Sequence, residues 1–217
     1  TILPKSFAII NPKRINENPD FFDLCTAGLV FLFLTDLNRL MREQREVKFD
    51  LIKHVDLVAL ATMADVVPLK GLNRAFVTQG VKVISKSMRP CFLSLAEKAH
   101  FKAPITAEAL AFTFAPRINA AGRINDAKLA TKILMSDTIV SAQQYANELE
   151  ILNDKRKQLE KDVLGAALEQ AEIENESGEP ILWTHGKNWH AGVIGIVAAR
   201  IKEKYKKPSI VISISEK

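Results

Sequence analysis

Cysteine is nearly absent from this sequence, and the two that occur, Cys25 and Cys91, fall in no CxxC or Cys/His ligand spacing. They lie far apart in apolar surroundings, which argues against a disulfide scaffold and against structural zinc and implies a reducing compartment, with the cytoplasm as the expected location. Long apolar runs are missing too. The greasiest stretch, LCTAGLVFLFL from Leu24 to Leu34, is shorter than the roughly 18 residues a membrane span requires, and Asp23 and Asp36 close around it. It reads as a helix buried in a core, and no membrane association is expected. The opening TILPKSFAIINPKR has no basic region leading into an apolar stretch and a cleavage site, so it is not a signal peptide. It also lacks an initiator Met, while PSIVISISEK stops on a predicted strand. Both ends are expected to belong inside a longer protein. Internal repeats and low-complexity tracts are absent, and no Ser/His/Asp grouping or activated cysteine stands out.

What is present is an ordinary globular composition. Of 217 residues, 47% are apolar and 25% charged, enough for a real core and one to two domains at about 150 residues each. Disorder and collagen-like architecture are thereby excluded. Thirty basic against 25 acidic side chains leave a net charge of +5, which permits a polyanionic partner without requiring one.

Phe7 to Ile10 reads as a short strand, and Asn18-Pro19-Asp20 as the start of a helix over Phe21 to Leu40 that turns polar across Arg39 to Lys48. Leu51 to Ala64, rich in small residues, predicts a helix packed closely against a neighbour. Pro68 keeps the residue before it out of the α region, so Asp65 is expected at or just past that helix's end. A carboxylate there opposes the helix dipole and calls for a compensating cation or donor. Short helices are expected over Asn73 to Lys86, Phe92 to Ala99, Ala107 to Ala115 and Asp126 to Met135. Tyr145, Leu149, Leu152, Arg156, Leu159, Val163 and Ala166 form a heptad-like stripe on a long helix from Thr138 to Glu174, which reads as a strut between domains or as a dimer seam. The breaker cluster Asn175 to Pro180 marks a boundary. A strand at Ile181 to Thr184, a helix at Gly192 to Lys204 and a strand at Pro208 to Ile214 then make a parallel βαβ start.

Three stretches are candidates for chemistry. ATMADVVPL, Ala61 to Leu69, carries a single carboxylate, Asp65, in an apolar run; it is either a capping residue or one ligand of a hard cation, which needs several oxygens. PRINAAGR, Pro116 to Arg123, places Arg117 and Arg123 around Asn119 in a Gly-containing turn, a donor set suited to phosphate unless the arginines are simply solvated. GKNWHAGVIGIVAAR, Gly186 to Arg200, joins Lys187, Trp189 and His190 to the start of a helix, where free N–H groups favour phosphate and a ring stacks on a base; alternatively Trp189 and His190 are a core pair. Gly192 and Gly195 lack the dinucleotide G-x-G-x-x-G spacing. His54 and His100 read as structural.

In order and spacing, IINPKR, LVALATMADVVPL with Asn73-Arg74, PRINAAGR, LNDKR at Asn153 to Arg156 and WHAGVIGIVAAR together resemble the DHH phosphoesterase superfamily. The resemblance implies a helix-rich α/β fold in three parts: residues 1–137 as the C-terminal part of a parallel-sheet DHH domain, 138–176 as a long connecting helix, and 177–217 as the N-terminal part of a DHHA1 domain. It implies a 5′-to-3′ exonuclease of single-stranded DNA serving repair and recombination, with two Mn²⁺ or Mg²⁺ ions. Asp65 then matches a metal ligand and, with Arg123 as a phosphate clamp, is assigned to catalysis; Asn119 and Arg123 face DNA phosphates, Trp189, His190 and Arg200 lie in the nucleic-acid-facing DHHA1 motif, and Arg117 and Lys187 are also assigned to DNA. The family's other Asp motifs and its Asp-His-His motif are not in this sequence, nor is the Gly/Ser-rich, Arg-containing strand of DHHA1. A fragment with one metal ligand is expected to be inactive alone. A monomer is expected, with other repair proteins as further partners. Two alternatives stay open: a DHH phosphodiesterase acting on short oligonucleotides or cyclic dinucleotides, and a non-catalytic DNA-binding scaffold.

Overall fold

The computed structural model describes residues 4–14, 18–45 and 49–215, and they fall into two units, Thr1–Ala115 and Pro116–Lys217.

In the first unit the Asn18 side chain accepts the Asp20 N–H and starts a 3₁₀ turn at Pro19–Phe21. That turn uses up the first residues of the expected helix, so α1 begins later and ends later than predicted, at Thr26–Arg45. The polar end of the prediction at Glu46, Val47 and Lys48 lies outside the described residues. The strand expected at Phe7–Ile10 does not form: both terminal residues of that run are exposed, and no strand pairs with it among the described residues. Isolated strands leave their backbone groups unpaired, which removes the reason to stay extended.

After a 3₁₀ turn at Leu51–His54 come α2 (Val55–Ala64), α3 (Gly71–Lys86) and α4 (Pro90–Lys98). The predicted close neighbour of α2 is α3. Gly80 faces Ala59 and Val55 so tightly that a Cβ on it would stand 2.3 Å from the Ala59 Cβ and 2.7 Å from the Val55 carbonyl oxygen. Leu24, Val55, Val58 and Phe76 bury together, and Phe31 packs edge-on against Phe76 with ring centroids 5.4 Å apart. A second aromatic set joins Phe92 and Phe101 to Phe114. Contrary to the expectation of a fully buried α1, its Val30, Phe33, Leu34, Leu37 and Leu40 remain exposed among the described residues, because only the face carrying Leu29, Phe31 and Leu32 meets this core. Asp56, buried on α2, pairs with Arg89, whose guanidinium also donates to the Lys53 carbonyl and meets the His54 ring nitrogen.

Thr106 caps a further helix through the Ala109 N–H. Its first turn is α5 (Ala107–Ala109), a π segment follows at Leu110–Phe114, and α6 (Ala115–Ile124) continues without a break. PRINAAGR is therefore helical, which corrects the turn expected there. A Pro at the second position of α6 is tolerated after a π segment, where the regular hydrogen-bond ladder is already interrupted.

The second unit contains α6, α7 (Lys128–Leu134), α8 (Ile139–Glu176), β1 (Leu182–Lys187), α9 (Ala191–Tyr205) and β2 (Ser209–Ile214). Thr138 caps α8 by accepting the Ser141 N–H. The helix has 38 residues, about 57 Å at 1.5 Å per residue. Its buried positions are Ala142, Ala146, Leu149 and Asn153, then Val163, Ala167 and Ala171. Ala166, expected at the end of the heptad-like stripe, is exposed. An α-helix drifts about 20° per heptad, so three heptads past Tyr145 the inward position has moved one residue on, to Ala167. The two strands are parallel, with Leu182 opposite Ser209 and Lys187 opposite Ile214, as the βαβ reading requires. Val163, Ala167 and Ala171 of α8 close one face of the pair together with Leu182, Val193, Val197 and Ile201.

Candidate nucleic-acid interface

Asp65 is found where Pro68 places it. It caps the C-terminus of α2, its N–H bonds the Ala61 carbonyl at 2.9 Å, and Val66 after it takes a left-handed φ of 53°. The side chain is exposed and forms no ion pair among the described residues, so the dipole penalty on this carboxylate stands uncompensated. No group of three or more His, Cys, Asp or Glu able to hold a metal occurs among the described residues. Asp65 by itself does not make up a metal site, because a hard cation needs more oxygens than one carboxylate supplies.

In the second unit the helical form of PRINAAGR sorts its polar residues by face. At 3.6 residues per turn Asn119 and Arg123 point about 40° apart, while Arg117 points roughly 120–160° away from them. Ala120 and Ala121, on either side of Arg117 around the helix, are fully buried, and Asn119 and Arg123 are exposed. Arg117 is 12% exposed and its fork meets Glu150 of α8, Nε to Oε2 at 2.5 Å and Nη2 to Oε1 at 3.1 Å. The backbone N–H groups expected to be free in a turn are spent on the helix ladder, so the phosphate-binding potential of the stretch rests on side chains.

Arg123 meets the third candidate stretch. Its Nη1 donates to the Gly192 carbonyl at 3.2 Å. Gly192 in turn lies so close to the end of α6 that a Cβ on it would stand 2.1 Å from the Arg123 carbonyl oxygen. PRINAAGR and WHAGVIGIVAAR, widely separated in sequence, thus share one corner of the second unit.

His190 is the N-cap of α9. Its Nδ1 accepts the Gly192 N–H at 3.0 Å, which fixes Nε2 as the protonated nitrogen of the neutral ring. Trp189 is half-buried against the second core, its indole seated on Gly186, where a Cβ would lie 2.1 Å from Cε2. Of the two readings offered by sequence, packing therefore occupies much of the Trp189 ring. Lys187 is exposed at the end of β1. Arg200, half exposed on α9, faces Glu160 at 3.6 Å and Glu203 at 3.8 Å. Glu160 also takes Arg156 at 2.9 Å, and Arg156 bonds the buried Asn153 through its Oδ1 at 3.2 Å. This ladder gives the LNDKR motif a structural role. Glu150 and Glu160 went unnoticed in the sequence, since nothing local distinguishes a helix carboxylate that pairs with an arginine on another helix.

Over 219 residues the chain is 36% identical to the single-stranded-DNA-specific exonuclease RecJ of Escherichia coli, matching 96% of this chain and 38% of that protein. RecJ of Bacillus subtilis is 31% identical over 218 residues, covering 99% of this chain and 26% of the relative. A crystal structure of RecJ with Mg²⁺ from Thermus thermophilus superposes with a TM-score of 0.76 at 34% identity, covering 93% of this chain and 30% of that one. The chain is RecJ-like in sequence and in fold. A structure of exonuclease RecJ bound to manganese gives a TM-score of 0.74 at 35% identity, over 88% of this chain and 46% of that one. No family model matches. The chain spans less than two fifths of the RecJ proteins it resembles in sequence. Those solved RecJ structures hold Mg²⁺ or Mn²⁺, in keeping with the cofactors expected from sequence. No helix among the described residues is long and apolar enough to cross a membrane.

Proposed function

We propose that this chain is the strand-holding part of an exonuclease that hydrolyses single-stranded DNA from its 5′ end, and that it acts in DNA repair and recombination in the cytoplasm, as a monomer. Residues 1–137 form the C-terminal part of the DHH domain, 138–176 the connecting helix and 177–217 the start of DHHA1. The contact between Arg123 and Gly192 carries the reading. It brings an exposed Asn and Arg on one helix to the start of another helix, a combination that suits a phosphodiester backbone. Asn119 supplies an amide and Arg123 a fixed cation; Lys187 extends the positive surface, Arg200 borders it while held against Glu160 and Glu203, and the edges of Trp189 and His190 left open by packing face the bases. Asp65 contributes one carboxylate toward the metal ions of the whole protein, the remaining ligands coming from other sequence. Arg117 supports this surface from behind.

The test is binding of oligo(dT) by this protein, followed as a function of salt. Arg123→Ala is expected to weaken affinity by roughly one hydrogen-bonded charge contact, about tenfold, and to reduce the slope of log K against log salt by about 0.7. Equal affinity for wild type and Arg123→Ala at every salt concentration overturns the assignment. A strong preference for dinucleotides over long strands would instead favour the phosphodiesterase alternative.

A further inference from the structure

Arg117 and Arg123 stand six positions apart in one motif, yet the structure gives them opposite surroundings. The buried arc of α6 runs through Ala120, Arg117 and Ala121, so the Arg117 guanidinium enters the unit at the centre of the packed face. There it meets Glu150, itself only 21% exposed. The pairing is a two-point fork, and a fork fixes rotation about the helix axis in a way a single point charge does not. Alanines on either side of it provide packing but little rotational register.

We infer that Glu150 is a positioning residue for the strand-holding surface: through Arg117 it sets the rotation of α6 that turns Asn119 and Arg123 outward together. This rests on the proposed binding of single-stranded DNA at that surface. It also moves Arg117 from the DNA-contacting set to the supporting one. A rotation of α6 by one residue, about 100°, would carry Asn119 toward the packed side and break the Arg123 bond to Gly192.

Charge alone and positioning make opposite forecasts for Glu150→Gln. Removing a negative charge from a basic protein strengthens attraction to a polyanion. Loss of the fork weakens binding by misaligning Asn119 and Arg123. Oligo(dT) affinity is measured at several salt concentrations for Glu150→Gln, Arg117→Gln and the exchanged pair Arg117→Glu with Glu150→Arg, each checked for folding by circular dichroism. The expected result is a five- to twentyfold loss of affinity in both single variants. Their salt slope falls by up to about 0.7, as in Arg123→Ala, because a misaligned Arg123 loses its phosphate contact, and the exchanged pair recovers most of both losses. Unchanged or tighter binding by folded Glu150→Gln overturns the inference. So does a loss of affinity and salt slope in Arg117→Gln that adds in full to that of Arg123→Ala in the double variant, which would mark Arg117 as a phosphate contact of its own. Should the single variants fail to fold, the exchanged pair decides: wild-type affinity supports the inference, and a folded protein that binds ten times more weakly defeats it. Wild-type protein without affinity for oligo(dT) rejects the DNA-binding reading itself, a result separate from any of these.

Discussion

Gly192 and Arg123 touch through backbone on one side and through a guanidinium on the other. The Arg123 carbonyl oxygen occupies the space a Gly192 Cβ would need, and the Arg123 Nη1 donates to the Gly192 carbonyl. Neither partner has a flexible group that can retreat, because the first contact is main chain against main chain. Gly192→Ala is therefore expected to cost about 1–3 kcal/mol by overpacking and to open the corner between α6 and α9. Urea unfolding measures the stability loss. An alanine variant as stable as wild type would mean that the two helix ends do not approach this closely.

Asp65 leads to a prediction in which stability and activity move in opposite directions. Its carboxylate is carried at the negative end of the α2 dipole with no ion pair among the described residues. Asp65→Asn is expected to leave folding unharmed or to raise stability by about 0.3–1 kcal/mol. In the whole protein the same substitution is expected to reduce Mn²⁺-dependent release of nucleotides from 5′-labelled strands to background, while affinity for the strand persists. Turnover within a few fold of wild type would remove Asp65 from the metal site.

Asp56 and Arg89 form a pair in which the acid is 1% exposed. Removing the arginine leaves a buried carboxylate without its cation, whereas removing the acid leaves a part-exposed Arg89 still bonded to the Lys53 carbonyl and beside His54. Arg89→Ala, which strands the buried Asp56 carboxylate, is expected to destabilise by about 3–5 kcal/mol. Replacing both residues with apolar side chains of similar volume is expected to recover much of that loss. The comparison is made by denaturant melts followed by far-ultraviolet circular dichroism. A loss below about 1 kcal/mol for Arg89→Ala would show the pair to be dispensable.

Burial pushes the Cys91 thiol up to about 11, only partly offset by the nearby Arg89 charge. The unfolded chain gives up this proton near its ordinary value of 9.0, while the folded protein retains it. The unfolded state thus binds fewer protons between about pH 9 and pH 11. Stability falls across that window, by up to about 1.4 kcal/mol per pH unit from this group. Cys91→Ala is expected to flatten that part of the stability–pH curve. In native protein at pH 8 the thiol is expected to react with a disulfide reagent only on unfolding, and rapid native labelling at Cys91 would contradict its burial.

Local signals in the sequence were strong where chain chemistry acts over a few residues. Pro68 marked the end of α2 and so the position of Asp65; Thr138 marked the start of α8; the breaker cluster and alternating apolar runs gave the parallel β1–α9–β2 unit. The heptad-like stripe found the long helix and, at Leu149 and Val163, its inward face, but lost that face by Ala166, because the α-helical repeat departs from 3.5 residues and the error accumulates. PRINAAGR misled, since Asn and Gly signal turns, yet the helix entering from Thr106 carries on through both. Pairings such as Arg117 with Glu150, or Arg123 with Gly192, join residues far apart in the chain and leave no periodic trace. Motif resemblance nominated the candidate residues; the division of Arg117 and Arg123 into inward and outward arginines required the fold.

The indole of Trp189 resting on Gly186 makes the protein report selectively on one of its halves. Both tryptophans, Trp183 and Trp189, lie in the Pro116–Lys217 unit. Trp183 is already about half exposed while Trp189 is the more buried of the two, so changes in emission wavelength on unfolding come more from the ring on Gly186. An intrinsic-fluorescence melt therefore follows the half that carries Arg123, and optical probes of the helical backbone are required to see the half that carries Asp65 and Asp56.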